Sequence, residues 1–194
     1  MFKRVGCRAE RSSDRDVIAA ADRLVLPGVG AIDPALQRLD ELDLRGPLTE
    51  LVVEKKKPIL GICLGMQIMA QESEEGERRG FGWIDGKVKK FSFPTTGGVK
   101  APHMGWNYVD ASNPHSLNGS LGDGARFYFV HGYHFVCHRP QDVMMTAHYG
   151  GMDFTAAIAH DNIVAVQFHP EKSHRYGMAL LKGFSKWTPE RVEA

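Results

Sequence analysis

Apolar residues fall along this chain in short runs of two different periods. Leu24-Val25-Leu26 is a β-type run, a helical pattern follows from about Ile32, and Leu48, Leu51 and Val52 recur at helical spacing. Pro58-Ile59-Leu60-Gly61-Ile62 is then a continuous apolar strand suited to burial on both faces of a parallel sheet. Strand alternating with helix predicts βαβ units. In the second half, β-rich stretches dominate: Trp83 to Phe91, Trp106 to Val109, Arg126 to Val136, Met144 to His148, Thr155 to Ala159 and Ile163 to Phe168. These predict antiparallel strands added to the parallel core. A closing helix with Leu180, Phe184 and Trp187 at i, i+4 and i+7 should pack back on the sheet. The densest charge run, Glu72 to Arg79, reads as a solvated loop. The expected fold is α/β, an open parallel sheet with an antiparallel β extension. With no repeat, low-complexity tract or long linker, residues 1–194 read as a single domain.

Composition narrows the function classes. Lys and Arg number 24 against 23 Asp and Glu, a net charge of +1, which gives no electrostatic reason to expect nucleic acid or an anionic membrane as partner. No apolar run approaches the roughly 20 residues of a membrane span, and Met1-Phe2-Lys3-Arg4-Val5-Gly6 lacks a signal-peptide core, so a cytoplasmic protein is expected. Cys7, Cys63 and Cys137 are odd in number and widely spaced, against a disulfide framework. His131 with His134, or Cys137 with His138, invites a zinc reading, but no complete set of ligands appears at familiar spacing.

The most informative segment is Gly61-Ile62-Cys63-Leu64-Gly65-Met66-Gln67, a small-x-nucleophile-x-small pattern between an apolar strand and a helical run. It is the nucleophile-elbow pattern with Cys in place of Ser. A sharp strand-to-helix turn strains the backbone at the nucleophile, and Gly61 and Gly65 supply the lack of bulk that close approach requires. The helix N-terminus would favour thiolate over thiol, and the N–H of Leu64 would point at a developing oxyanion. The alternative is that Cys63 is a buried small hydrophobe, the commoner fate of a free cysteine. The run Val164 to Glu171 bears on that choice: a buried β-run ends in His169 and Glu171, two residues apart and on one side of an extended chain, with Pro170 stiffening the strand end. Strand ends at the C-terminal edge of a parallel sheet are where such folds place ligands, so Cys63, His169 and Glu171 could share one cleft as a Cys/His/Glu triad. Otherwise His169 and Glu171 are a surface pair of little consequence.

GICLGMQ followed later by QFHPEKS resembles the class I glutamine amidotransferases. More narrowly, the chain resembles the glutaminase subunit of imidazole glycerol phosphate synthase, through Leu26-Pro27-Gly28-Val29-Gly30-Ala31, Pro102-His103-Met104-Gly105-Trp106-Asn107, Phe127-Tyr128-Phe129-Val130-His131 and Gln167 to Ser173. The resemblance implies a flavodoxin-like fold and the hydrolysis of L-glutamine through a γ-glutamyl thioester on Cys63. It implies His169 as acid and base with Glu171 orienting it, and a second oxyanion donor from the loop Gly28-Val29-Gly30. Gln67, Gly132 and Tyr133 would hold the amino acid end of glutamine. It implies no metal or organic cofactor, and a (β/α)8 cyclase subunit, docked as a heterodimer, that takes the ammonia to make imidazole glycerol phosphate for histidine biosynthesis. Pro102 to Asn107 is a candidate contact surface, although Met104 and Trp106 serve equally as core residues.

Two departures accompany the resemblance. Relatives begin with a βα unit that this chain enters only near its end, and a missing near-central strand would leave a gap in the sheet. Gly132 stands where relatives usually carry Ser or Thr, and His131-Gly132-Tyr133-His134 also resembles a paralogous branch that supplies ammonia for surface polysaccharide sugars. Two other functions compete: a γ-glutamyl or peptide hydrolase using the same triad without a synthase, and a catalytically weak subunit that only binds the synthase.

Overall fold

The computed structural model describes residues 1–93 and 99–189. Its strands are β1 (Leu24–Gly28), β2 (Ile59–Cys63), β3 (Glu72–Ser73), β4 (Gly86–Lys90), β5 (His103–Tyr108), β6 (Asp110–Ala111), β7 (Arg126–His131), β8 (Tyr133–Cys137), β9 (Val143–Tyr149), β10 (Met152–His160) and β11 (Ile163–Val166). The helices are α1 (Arg15–Ala20), α2 (Ile32–Glu41), α3 (Arg45–Thr49), α4 (Leu64–Gln67), α5 (Ser116–Gly119) and α6 (His174–Lys186). A nine-stranded sheet runs β1-β2-β11-β10-β8-β4-β3, with β9 pairing β10 and β6 pairing β9. A separate two-stranded sheet joins β5 to β7.

The first half follows the apolar pattern, with β1 and β2 parallel, Gly28 beside Cys63 and Leu26 beside Gly61. The second half departs from it in two places. Ile163–Val166, expected as part of an antiparallel extension, does pair antiparallel with β10 but on its other edge pairs parallel with β2, so it also completes the parallel core. Its flanks explain this: the strand buries both faces, Ile163 and Ala165 into one apolar cluster and Val164 and Val166 into the other, as a central parallel strand does. The run Arg126 to Val136 is two strands rather than one, broken at Gly132, so that β7 pairs β5 and β8 enters the large sheet beside β4 and β10.

Each face of the large sheet carries its own core. Leu36, Leu48, Val52, Met66 and Phe135 fill one side; Phe127, Phe129, Phe168, Leu180 and Phe184 fill the other. The closing helix packs as its periodicity predicts, with Leu180 and Phe184 buried and Trp187 buried at its end. Glu72 to Arg79 is not wholly a solvated loop, since Glu72–Ser73 pairs parallel with β4 and Asp33 accepts the backbone N–H groups of Glu77 and Arg78. The expected gap in the sheet is absent among the described residues: the ladder is continuous and β1 is its outer strand. The turn Phe2–Val5 packs through Met1, Phe2 and Val5 against the core that α6 covers.

Glycine at 65 is a packing requirement. A Cβ there would lie 1.7 Å from the Leu26 carbonyl oxygen, whereas a Cβ at Gly46, in α3, would meet open space. Gly46→Ala should therefore leave stability unchanged or raise it by up to about 1 kcal/mol, while Gly65→Ala should cost about 3 kcal/mol or more through backbone displacement. Urea unfolding of the two variants checks this, and equal midpoints would refute the contact.

Candidate active site

The parallel sheet delivers two of its strand ends to one place. β2 ends at Cys63, and β11 ends three residues before His169, so both residues emerge at the same edge of neighbouring strands. Cys63 has φ 52° and ψ −107°, a left-handed conformation that costs a side chain about 1–3 kcal/mol and persists only where the surroundings enforce it. They do so through the backbone of Gly65, seated against Leu26, and that of Gly61, where a Cβ would meet the Gly65 carbonyl at 3.0 Å. The helix that follows is a single turn, Leu64–Gln67, entirely buried.

His169 is 1% exposed, and its backbone is clamped on both sides. Its N–H donates to the Tyr128 carbonyl at 2.9 Å, and its carbonyl accepts the hydroxyl of buried Ser173 at 2.6 Å. The ring Nδ1 meets Glu171 Oε1 at 2.7 Å. This pair does not form along an extended chain as the i, i+2 spacing suggests, because Pro170–Lys172 is a 3-10 turn that swings the carboxylate back under the imidazole. The opposite nitrogen, Nε2, is buried and by strict geometry has no hydrogen-bond partner among the described residues. Cys63 is nonetheless its dominant electrostatic neighbour: interaction with that sulfur, then with Glu171, raises the His169 pKa to about 9 against the opposing effect of burial. Burial pushes the Glu171 carboxyl up, but the His169 bond, its own backbone N–H and the neighbouring charges of His169 and Lys172 outweigh it and lower its pKa. The ring thus has the Cys63 sulfur and the Glu171 carboxylate as the two neighbours that favour its protonated form.

A cavity of about 290 Å³ opens on these groups, at the small end of the range for ligand sites. Its walls include Cys63, His169, Leu64, Gln67, Val29, Gly30, Gly132 and Tyr133. Two further predicted residues stand behind the wall. Gly28 lies beside Cys63 on β1, where a Cβ would press on Leu64 at 3.0 Å, and Glu171 reaches the cavity only through His169. Gly30 has φ +100°, a backbone conformation that admits the turn its loop needs. Gln67 is 6% exposed, and its amide N–H groups donate to the Tyr133 carbonyl at 3.1 Å and to Gln167 Oε1 at 3.0 Å.

Gln167 has no role in the motif reading, yet it is fully buried and donates from Nε2 to the Cys63 sulfur at 3.7 Å, so it ties the nucleophile to Gln67. The alternation that pairs 167 with 169 was the available signal. Lys172 and Glu75 also line the cavity, although neither spacing nor residue type marks them. Among the described residues no group of three or more His, Cys, Asp or Glu side chains could hold a metal ion. Cys137 is a poor rival nucleophile, since burial first, then Asp142, pushes its thiol up to about 12.

Comparison with known proteins agrees with this chemistry. The family model described as glutamine amidotransferase class-I matches residues 5–186. The chain is 46% identical over 184 residues to the protein named imidazole glycerol phosphate synthase subunit HisH 2 of Pseudomonas aeruginosa, covering 95% of this chain and 90% of that one. It is 44% identical over 186 residues to the protein of the same name from Methanococcus maripaludis, covering 96% and 91%. A crystal structure of a glutamine amidotransferase shares the fold with a TM-score of 0.62 at 20% identity, over 93% of this chain and 89% of that one.

The raised pKa of His169 has a testable sign. Its folded value, about 9, lies above the ordinary 6.5, so its stabilisation is fully present below about pH 6.5 and is lost as pH rises through about 9. Stability measured by urea unfolding should therefore fall between pH 7 and 10. Glu171→Gln removes one of the causes that raise the value, so the imidazole, followed by NMR titration, should lose its proton at lower pH and the decline should flatten. A titration curve unmoved by the substitution would show the carboxylate to be uncoupled from the ring.

Proposed function

The chain belongs to the class I glutamine amidotransferases, and from that premise we propose that it is the glutaminase subunit of an imidazole glycerol phosphate synthase. In this reading it hydrolyses L-glutamine to glutamate and passes the ammonia to a separate (β/α)8 cyclase subunit in histidine biosynthesis. The carrying observation is the sulfur of Cys63, on a strained backbone, beside a buried imidazole, both opening on a cavity of about 290 Å³, with Glu171 backing the imidazole from behind its wall. The relatives' names favour the histidine branch over surface polysaccharide synthesis.

The steps follow from the groups present. The thiol proton of Cys63 passes to Nε2 of His169, and sulfur attacks the side-chain amide carbon of glutamine. The tetrahedral oxyanion is held by the N–H of Leu64 and by the loop Gly28 to Gly30, a type of contact worth about 10²–10³ in rate. Collapse breaks the C–N bond; the leaving nitrogen takes the proton from His169 and departs as ammonia, leaving a γ-glutamyl thioester. Water then attacks, giving its proton to His169, and the thiolate leaves and is reprotonated. Glu171 holds the ring in orientation throughout.

Ammonia in water at neutral pH is mostly ammonium, a poor nucleophile, so delivery calls for a docked partner. Of the two readings of Met104 and Trp106, core or contact surface, exposure favours contact: Met104, Trp106 and Tyr108 are 62%, 44% and 59% exposed along one face of β5. Apolar side chains contiguous on a rigid strand suit a protein interface.

Cys63→Ala should abolish glutamine hydrolysis, by a factor of about 10³ or more, and still bind the cyclase; ammonia release at the wild-type rate would dispose of the reading. Trp106→Ala should weaken binding to the cyclase by about tenfold or more with the fold intact, as titration calorimetry would report. Unchanged affinity would move the interface elsewhere.

A further inference from the structure

Two buried histidines outside the triad sit directly opposite each other across the small sheet, His103 on β5 and His131 on β7. His131 Nδ1 lies 2.7 Å from the Tyr133 carbonyl. A carbonyl oxygen only accepts, so Nδ1 carries the proton and Nε2 presents a lone pair. That lone pair faces His103 Nδ1 at 3.1 Å, which must then donate. His103 Nε2 faces Asn107 Nδ2 at 3.4 Å, and the Asn107 amide cannot be reversed without loss, because Nδ2 also donates to the His148 carbonyl at 2.8 Å and Oδ1 accepts the Tyr108 N–H at 2.9 Å. The donors therefore run one way, from Asn107 to His103 to His131 to the Tyr133 carbonyl. That carbonyl also accepts the Gln67 amide, and both residues line the cavity beside Cys63.

We propose that His131 and His103 are positioning residues for glutamine: they hold the Tyr133 carbonyl, and through it the Gln67 amide, in the glutamine pocket. The inference rests on the glutaminase reading above. It also fastens the pocket to β5, whose inward side chains His103 and Asn107 alternate with the outward Met104, Trp106 and Tyr108. Burial keeps both rings neutral, lowering His103 to about 4 and, with smaller contributions around it, His131 to about 3. A proton added to either ring would set one N–H against another along the line.

Ordinary packing is the competing explanation, since His103 stacks on Tyr149 at 4.0 Å and on Phe129 at 4.8 Å. Phenylalanine would keep the packing and lose the hydrogen bonds; asparagine would keep a donor near Nδ1 and lose the stacking. The two explanations thus predict opposite rankings of variants. In the complex with its cyclase, His131→Phe should raise KM for glutamine by about threefold to tenfold while kcat changes by less than about twofold, the loss of ground-state binding. His131→Asn should restore KM to near the wild-type value, and His103→Phe should act in the same direction as His131→Phe. Alkylation of Cys63 by iodoacetamide, which lacks the amino acid end, should proceed at equal rates in all of them. Independently of activity, 15N NMR of the wild-type imidazoles at neutral pH should find both His131 and His103 as the Nδ1–H tautomer. An unchanged KM in a folded His131→Phe, or an Nε2–H tautomer at either ring, overturns the proposal; if His131→Phe loses its cooperative melt, the tautomers and His103→Phe decide. Wild-type complex without glutaminase activity, or activity that survives Cys63→Ala, would instead defeat the glutaminase reading, leaving the tautomer result to stand or fall alone.

Discussion

The site depends on how closely the backbone beyond Cys63 seats against the outer strand. Gly65 approaches the Leu26 carbonyl so tightly that no side chain fits between them, and this contact turns the chain from strand to helix within one residue. The turn leaves Cys63 at φ 52°, a strain of about 1–3 kcal/mol. Ile59, Leu60 and Ile62 of the same strand are all buried, each worth about 1.5–3 kcal/mol against exposure. Burial therefore exceeds strain, and the sulfur stays where the sheet aims it. Because β11 is the next strand over and runs parallel, His169 arrives at the same edge without any special arrangement of its own.

Three imidazoles border this region, and their surroundings divide them. His169 has a sulfur on one side and a carboxylate on the other, and the two raise its affinity for a proton despite burial. His131 and His103 have carbonyl, amide and imidazole neighbours, with no carboxylate among their bonded partners in the described residues, so burial prevails and both stay neutral. Near neutrality one ring is thus held towards its protonated form and two in their neutral form. The proton therefore stays with the ring that faces the nucleophile, while the neutral pair can act as fixed dipoles.

The parallel core and the elbow were legible because they rest on local features. A continuous apolar run reads as a doubly buried strand, and glycines flanking a nucleophile read as close approach. What sequence left hidden was decided by tertiary partners. Ile163 to Val166 pairs antiparallel with β10 and parallel with β2, and its apolar character alone gives no sign that one of its edges joins the parallel core. The i, i+2 spacing of His169 and Glu171 suits an extended chain, but their contact closes over a 3-10 turn that spacing does not reveal. Gln167 stayed hidden because the alternation that aligns it with His169 assigns it no role until the thiol it touches is placed. Met104 and Trp106 have core chemistry and exposed positions, which composition alone could not separate.

The break at Gly132 links these points. It sends Arg126–His131 into a two-stranded sheet and Tyr133–Cys137 into the large one, so the cavity lies where the two sheets part. A two-stranded ribbon has little stability of its own and takes its position from whatever covers it. On the inner side that cover is Phe129 against Phe154 and Phe168; on the outer side Met104, Trp106 and Tyr108 remain exposed. The ribbon is fastened to the cavity through Gly132, through the hydrogen bond from His131 to the Tyr133 carbonyl and through the Tyr128 carbonyl, which accepts the His169 N–H, so a load on its outer side reaches both the cavity wall and the imidazole.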